Sequence, residues 1–304
     1  MGTEFWWIYD IAIIAIVVII MFLSAKKGSS KKVMIVIGCM LSLVLAGTMN
    51  KSVSGFVYKN AFERSTPKSV NKAFEDFDVV EEYEKIINEL DYNVKLNYGK
   101  LEKIITTEDN LHKKLYSYVC NINGIVVDTE ENFTEAINTG FANMIYEKLS
   151  LQLPTYALKE VNKIADDSES VKELSRMLYV EPDEPLPKEI GTHIGDEYIK
   201  PTILSIIKLA AFVILYVLIM ILSRFIAMYI NNTGAIPMMG RGESVGGAVF
   251  GFIHALVDIA VITYAVKFFV IIGEGEMLVF NEATIDKTYI FKYIYDLPII
   301  EMFR

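Results

Sequence analysis

Four stretches of the chain are nearly unbroken apolar runs, and the segment between the second and third alternates apolar and polar positions at helical spacing. Phe5–Ser24 is interrupted only by Asp10, and Val33–Met49 carries no charge. Thr202–Leu222 holds Lys208, and Val245–Ile272 holds His254, Asp258 and Lys267. An α-helix rises about 1.5 Å per residue, so roughly 20 residues cross a hydrocarbon core of about 30 Å. The pattern predicts four membrane helices, at 5–24, 33–49, 202–222 and 245–272, the second short and the fourth long enough to tilt. The first run does not read as a signal peptide. Met1–Glu4 has no Lys or Arg, no small-residue cleavage site follows, and a second apolar run comes soon after a basic turn.

Between the second and third runs the periodicity changes to that of amphipathic helices. Phe74, Phe77, Val80, Tyr83, Ile86, Ile87 and Leu90 fall on one helical face. Ile104, Ile105, Leu111, Leu115, Tyr118 and Val119 continue the pattern, and Phe133, Ile137, Phe141, Ile145 and Leu149 form an i, i+4 stripe. Gly99, Asn123-Gly124, Pro154 and the Pro-rich run Glu181–Pro187 punctuate these stretches. Helix starts are expected near Thr134-Glu135 and Ser168-Glu169. The expected fold is therefore all-α: a four-helix integral membrane domain with an inserted helical extracytoplasmic domain. Residues 1–49 form a helical hairpin, 50–200 the inserted domain, 201–272 the third and fourth membrane helices, and 273–304 an amphipathic tail built around Tyr289–Tyr295, expected to lie on the outer membrane surface.

Composition sharpens this division. Hydrophobic residues make up 53% of the chain and mean hydropathy is +0.35, too apolar for a fully solvated surface. Of 38 acidic and 29 basic residues, 28 and 18 lie in 50–200, a net of −10 against a whole-chain net of −9. The acidity belongs to the inserted domain and argues against nucleic acid as a partner. Lys26, Lys27, Lys31 and Lys32 crowd the first turn without an acid, Arg224 follows the third helix, and Arg241 precedes the fourth. Short basic loops stay in the cytoplasm, which places both termini and the 50–200 domain outside. Trp6 and Trp7 suit the interface at the outer end of the first helix.

Candidate chemistry is sparse. The two cysteines, Cys39 and Cys120, lie in different domains and have no zinc-type spacing, and Cys120 reads as a small core residue. His112 and His193 lack metal-ligand neighbours in sequence. P-loop, GxSxG, HExxH and CxxC motifs are absent, so neither an enzyme nor a cofactor is expected. The intramembrane polar residues Asp10, Lys208, His254, Asp258 and Lys267 each need a reason, because a charge in the bilayer is costly. Asp10 could pair with either lysine, or the lysines could snorkel to the surface. His254 and Asp258 are four apart, hence on one helix face near the bilayer middle, and suit either a proton or ion relay or a structural contact between helices. Gly38, Ser42 and Ala46 on the second helix, and Gly247, Gly251 and Ala255 on the fourth, are small residues four apart that let helices approach closely.

Three segments also carry a resemblance. The opening WIYDIAIIAIVVI with Lys26-Lys27-Gly28 resembles the start of colicin V production (CvpA) proteins, an aromatic-Ile-Asp start, an apolar helix, a basic pair and a glycine. Thr233–Ile262, with Gly246-Gly247-Ala248-Val249-Phe250-Gly251, is similar to that family's glycine-rich entry to its last helix, and the closing YIFKYIYDLP to its C-terminal segment. The likeness covers about half the chain and excludes 50–200. The sequence departs from the family pattern at Glu243-Ser244, where an acid-Arg pair is usual, and at His254, where a basic residue is usual. The resemblance implies a multi-pass protein of the bacterial cytoplasmic membrane, accessory to toxin (colicin or bacteriocin) production or secretion and to envelope maintenance. It implies action through the lipid bilayer and a membrane or envelope protein partner, and no enzyme activity. The alternative raised by Asp10, His254 and Asp258 is a channel or proton-coupled transporter, which with four helices would require a homo-oligomer.

Overall fold

A computed structural model of the chain describes residues 3–92, 94–181, 187–232 and 243–298. Its regular structure is helical throughout, with no strand among the described residues. Four helices are long and apolar enough to cross a membrane. The chain divides into two compact units, one made of Met1–Tyr58 with Leu204–Arg304 and the other of Lys59–Ile203.

In the first unit, α1 (Trp6–Lys27) ends at Gly28, whose φ of 80° is open to glycine at little cost. The chain turns at once into α2 (Ser29–Ala61). This helix runs twelve residues beyond the apolar stretch expected at 33–49. Nothing in Asn50–Ala61 breaks a helix except the tolerable Gly55, so backbone hydrogen bonding continues after hydrophobicity ends.

Lys59–Ile203 is built around α7 (Glu130–Ser150). Its stripe of Phe133, Ile137, Phe141, Ile145 and Leu149 is fully buried. Around it lie α3 (Ser65–Ala73), α4 (Val79–Glu89), α5 (Tyr98–Thr107), α6 (Leu111–Asn123), α8 (Ser168–Leu178) and α9 (Lys188–Ile194). Tyr83 of α4 stacks on Phe141 at 5.6 Å and bonds Ser175 at 2.7 Å. The caps correct two sequence expectations. α7 begins at the Thr129 N-cap rather than at Thr134, and Gly99 sits inside the first turn of α5, which the Asn97 side chain caps. In both cases a polar cap upstream outweighed the signal read from the sequence. α8 begins at Ser168 as expected, capped by Asp167, and Gly124 closes α6 in the left-handed region. The connector expected over Glu181–Pro187 lies mostly outside the described residues.

The chain returns to the first unit through α10 (Lys200–Asn232), then α11 (Glu243–Ile272), α12 (Glu282–Asp286) and α13 (Phe291–Tyr295). α11 is the most buried of the four long helices and shares two apolar clusters with its neighbours. One joins Cys39 and Ala46 of α2, Phe212 and Tyr216 of α10 and Val261 of α11. The other joins Tyr9 and Ile13 of α1, Ile259 and Val270 of α11, Ile285 of α12 and Phe291 of α13. Among the described residues the tail holds two short helices, α13 falling within the stretch expected to be helical at Tyr289–Tyr295. Phe291 is buried beneath Tyr9, while Tyr289 and Tyr293 stay exposed.

Candidate functional site: a polar relay in the membrane unit

His254 and Asp258 project from one face of α11, as their spacing requires, and the other long helices bring them partners. Lys32 of α2 is buried, and its ammonium Nζ lies 2.9 Å from His254 Nδ1. An ammonium only donates, so Nδ1 accepts and the neutral ring carries its proton on Nε2. That nitrogen stands 3.3 Å from Asp258 Oδ2 at an angle that makes no hydrogen bond. Tyr216 of α10 donates to Asp258 Oδ1 at 2.9 Å. Cys39 of α2 lies 3.1 Å from the same phenol oxygen. With the phenol proton committed to the carboxylate, the thiol is the donor in that contact. Five side chains from three helices therefore form one polar cluster, Lys32, His254, Asp258, Tyr216 and Cys39, whose His254–Asp258 step is a close approach without a hydrogen bond.

His254 is only 5% exposed, whereas the Asp258 side chain is 23% exposed. Both residues border a cavity of about 580 Å³. Lys27, Lys32, Arg224 and His254 share its lining, with Ile20, Leu23, Ile35, Ala227 and Met228 as apolar wall. The chain of polar groups thus runs from a buried thiol to a basic opening.

Ligand atoms of Cys39, His254 and Asp258 all lie within 4.8 Å of one another. This donor set suits zinc in principle. Lys32 faces Nδ1 and Tyr216 bridges the thiol and one carboxylate oxygen, whereas the buried Nε2 has no hydrogen-bond partner. A metal there would have to take the thiol from Tyr216 and sit close to the Lys32 ammonium.

Asp10 has a different role from the lysine pairing considered in the sequence. Its carboxylate accepts backbone N–H groups from Tyr289 at 2.8 Å and from Ile290 and Phe291 at 3.0 Å each. It thereby caps α13 from another helix, and its negative charge suits that helix start. Tyr9 stacks on Phe291 at 4.6 Å and donates to the Val279 carbonyl, and Trp6 meets Tyr289 edge-on. Lys267 lies over the rings of Tyr264 and Tyr295. Lys208 is half-buried on α10.

The small residues fall at contacts. A Cβ on Gly247 would lie 2.5 Å from the Ser24 carbonyl oxygen, and one on Gly251 2.7 Å from the Ser24 side chain, so α1 and α11 touch backbone to backbone there. Ala255 is fully buried. On α2, a Cβ at Gly38 would strike Ser223 of α10, Ser42 bonds the Gly38 carbonyl, and Ala46 is buried.

Of the basic residues read as topology signals, Lys26 covers the Phe22 ring, while Lys27, Lys32 and Arg224 line the cavity. The Lys31 side chain and Arg241 lie outside the described residues. In the other unit, His112 bonds Asn138 at 2.7 Å and its burial lowers its pKa. His193 approaches Glu197 at 3.8 Å. Cys120 is half-buried rather than a core residue, at the edge of α6.

Lys32, Tyr216 and Cys39 were not read as site residues from the sequence. Lys32 and Cys39 are seven apart, and Tyr216 and Arg224 eight apart, so each pair shares a helix face. That periodicity of polar groups on apolar helices was the available signal. Comparison with family models, with curated proteins and with solved structures finds no match to this chain.

Proposed function

We propose that this is a CvpA-type multi-pass membrane protein, accessory to toxin production or secretion and to envelope maintenance, that acts through partners rather than as an enzyme. One observation supports the reading. The three segments that carry the resemblance are far apart in sequence, yet they meet in one module. The opening segment supplies Tyr9 and Asp10, which hold the closing segment at Tyr289–Phe291. The glycine-rich segment supplies Gly247 and Gly251, which seat α11 against Ser24 of α1. A shared set of motifs is expected to coincide with a shared piece of structure, and these do. The test is a deletion strain in which secreted proteins and peptides and resistance to envelope stress are quantified. The proposal expects a fall in secretion or resistance that the wild-type gene restores, and it fails if neither changes.

A second reading rests on the polar relay. Burying ionisable groups in a bilayer costs about 3 kcal/mol each on insertion scales. A channel or proton-coupled transporter would use that cost, since His254 and Asp258 can exchange a proton with the cavity they border. Asp258→Asn keeps an acceptor for Tyr216 and removes the charge. In proteoliposomes with an internal pH dye, this reading expects the wild type to dissipate a pH gradient at least tenfold faster than the variant. Equal rates in the two would eliminate it.

A further inference from the structure

We propose that the cavity beside the relay is a binding site for the headgroup of an anionic phospholipid. Lys27, Lys32 and Arg224 contribute three positive charges to its lining, against the single carboxylate of Asp258. That carboxylate is already engaged by Tyr216 and faces His254. No hydrogen bond or ion pair ties Lys27 or Arg224 to another described residue. Lys32 spends one of its three protons on His254 and keeps two for a ligand. Among the described residues the lining thus holds three cations and one carboxylate already engaged by Tyr216, an excess of donors that suits a phosphodiester.

The remaining lining identifies the source of that phosphate. Ile20, Leu23, Ile35, Ala227 and Met228 give the cavity an apolar wall beside its cations. Lys27 is the last residue of α1 and Lys32 lies in the first turn of α2, so the cations stand where these helices end. An amphipathic occupant satisfies both parts, with its phosphate among the cations and the start of an acyl chain along the wall. Basic pockets between membrane helices bind lipid headgroups in this way. A free phosphate would leave the apolar wall unused. The site rests on the four apolar helices lying in a bilayer, and is independent of any role in secretion.

The test is the thermal unfolding of the purified full-length protein in neutral detergent, titrated with phosphatidylglycerol, with phosphatidylcholine or with inorganic phosphate. Phosphatidylglycerol is expected to raise the Tm saturably, and the other two to leave it unchanged. Each cation near a lipid surface contributes enough that losing two weakens binding by about thirtyfold. Lys27→Ala/Arg224→Ala is therefore expected to shift the titration midpoint by that factor. Lys26→Ala, whose side chain covers Phe22 instead, is the one-charge control for the single Lys27→Ala and is expected to stay closer to the wild-type midpoint than Lys27→Ala does. Melting of each variant in phosphatidylcholine shows whether it is folded. If the double variant does not fold, the charge-keeping Arg224→Lys and the single Lys27→Ala replace it, with smaller shifts expected. The proposal is overturned if phosphatidylcholine stabilises equally, if inorganic phosphate alone reproduces the effect, or if folded pocket variants keep the wild-type midpoint.

Discussion

Asp10 shows how much a single carboxylate can do when it replaces missing helical hydrogen bonds. Its three N–H partners at the start of α13 have no intrahelical acceptor, and for the buried Phe291 N–H a missing acceptor costs about 1–3 kcal/mol. Asp10→Ala is expected to release the tail, so that trypsin cleaves at Lys287 and Lys292 on the order of tenfold faster or more than in the wild type. Unchanged protection would mean that the Tyr9–Phe291 stack alone holds the segment. That Asp10 needed a partner was legible from its place in an apolar run. That the partners would be backbone groups 279 to 281 residues away was not, because nothing local records where the tail returns. The same holds for the relay. The His254–Asp258 spacing announced a shared face, but Lys32 read as a loop cation and Tyr216 as one apolar residue among many. Their identities as partners depend on helix register and rotation, which only packing fixes.

At the scale of elements, apolar runs located all four long helices, and the helices run past the apolar stretches. α2 and α10 each extend well beyond the hydrophobic stretch, since helix formation needs only the absence of breakers whereas membrane burial needs apolarity. Faces left without protein partners are apolar too. Ile14, Val18, Phe22, Leu218, Leu222 and Phe225 are exposed, as expected of residues that meet lipid. The small-residue rows were legible as packing faces, while their pairings, α1 with α11 and α2 with α10, were not. The α1–α11 contact gives a sharp prediction. Gly247→Leu places a side chain against the Ser24 backbone and is expected to cost about 1–3 kcal/mol, read as a lowered Tm in detergent. Val249→Leu, two residues on and exposed, is the control expected to change nothing. Equal melting of both would show that the helices separate freely at this point.

For the whole molecule, charge and periodicity divide the chain near 49/50 and 200/201 into an apolar part and an acidic helical part, and the two compact units part at Tyr58/Lys59 and Ile203/Leu204. The shift follows from α2 and α10, which carry chain from one unit into the other without a break in the helix. The central claim concerns the first unit: that the module joining α1, α11 and the tail is what the protein works with. The most direct measurement complements a deletion strain with wild type or with Asp10→Ala, matched for protein level in the membrane, and quantifies secreted proteins and envelope resistance. The account predicts that wild type restores the deletion defect and Asp10→Ala does not. Full restoration by Asp10→Ala with its tail demonstrably released, or a deletion strain with no defect to restore, would contradict it.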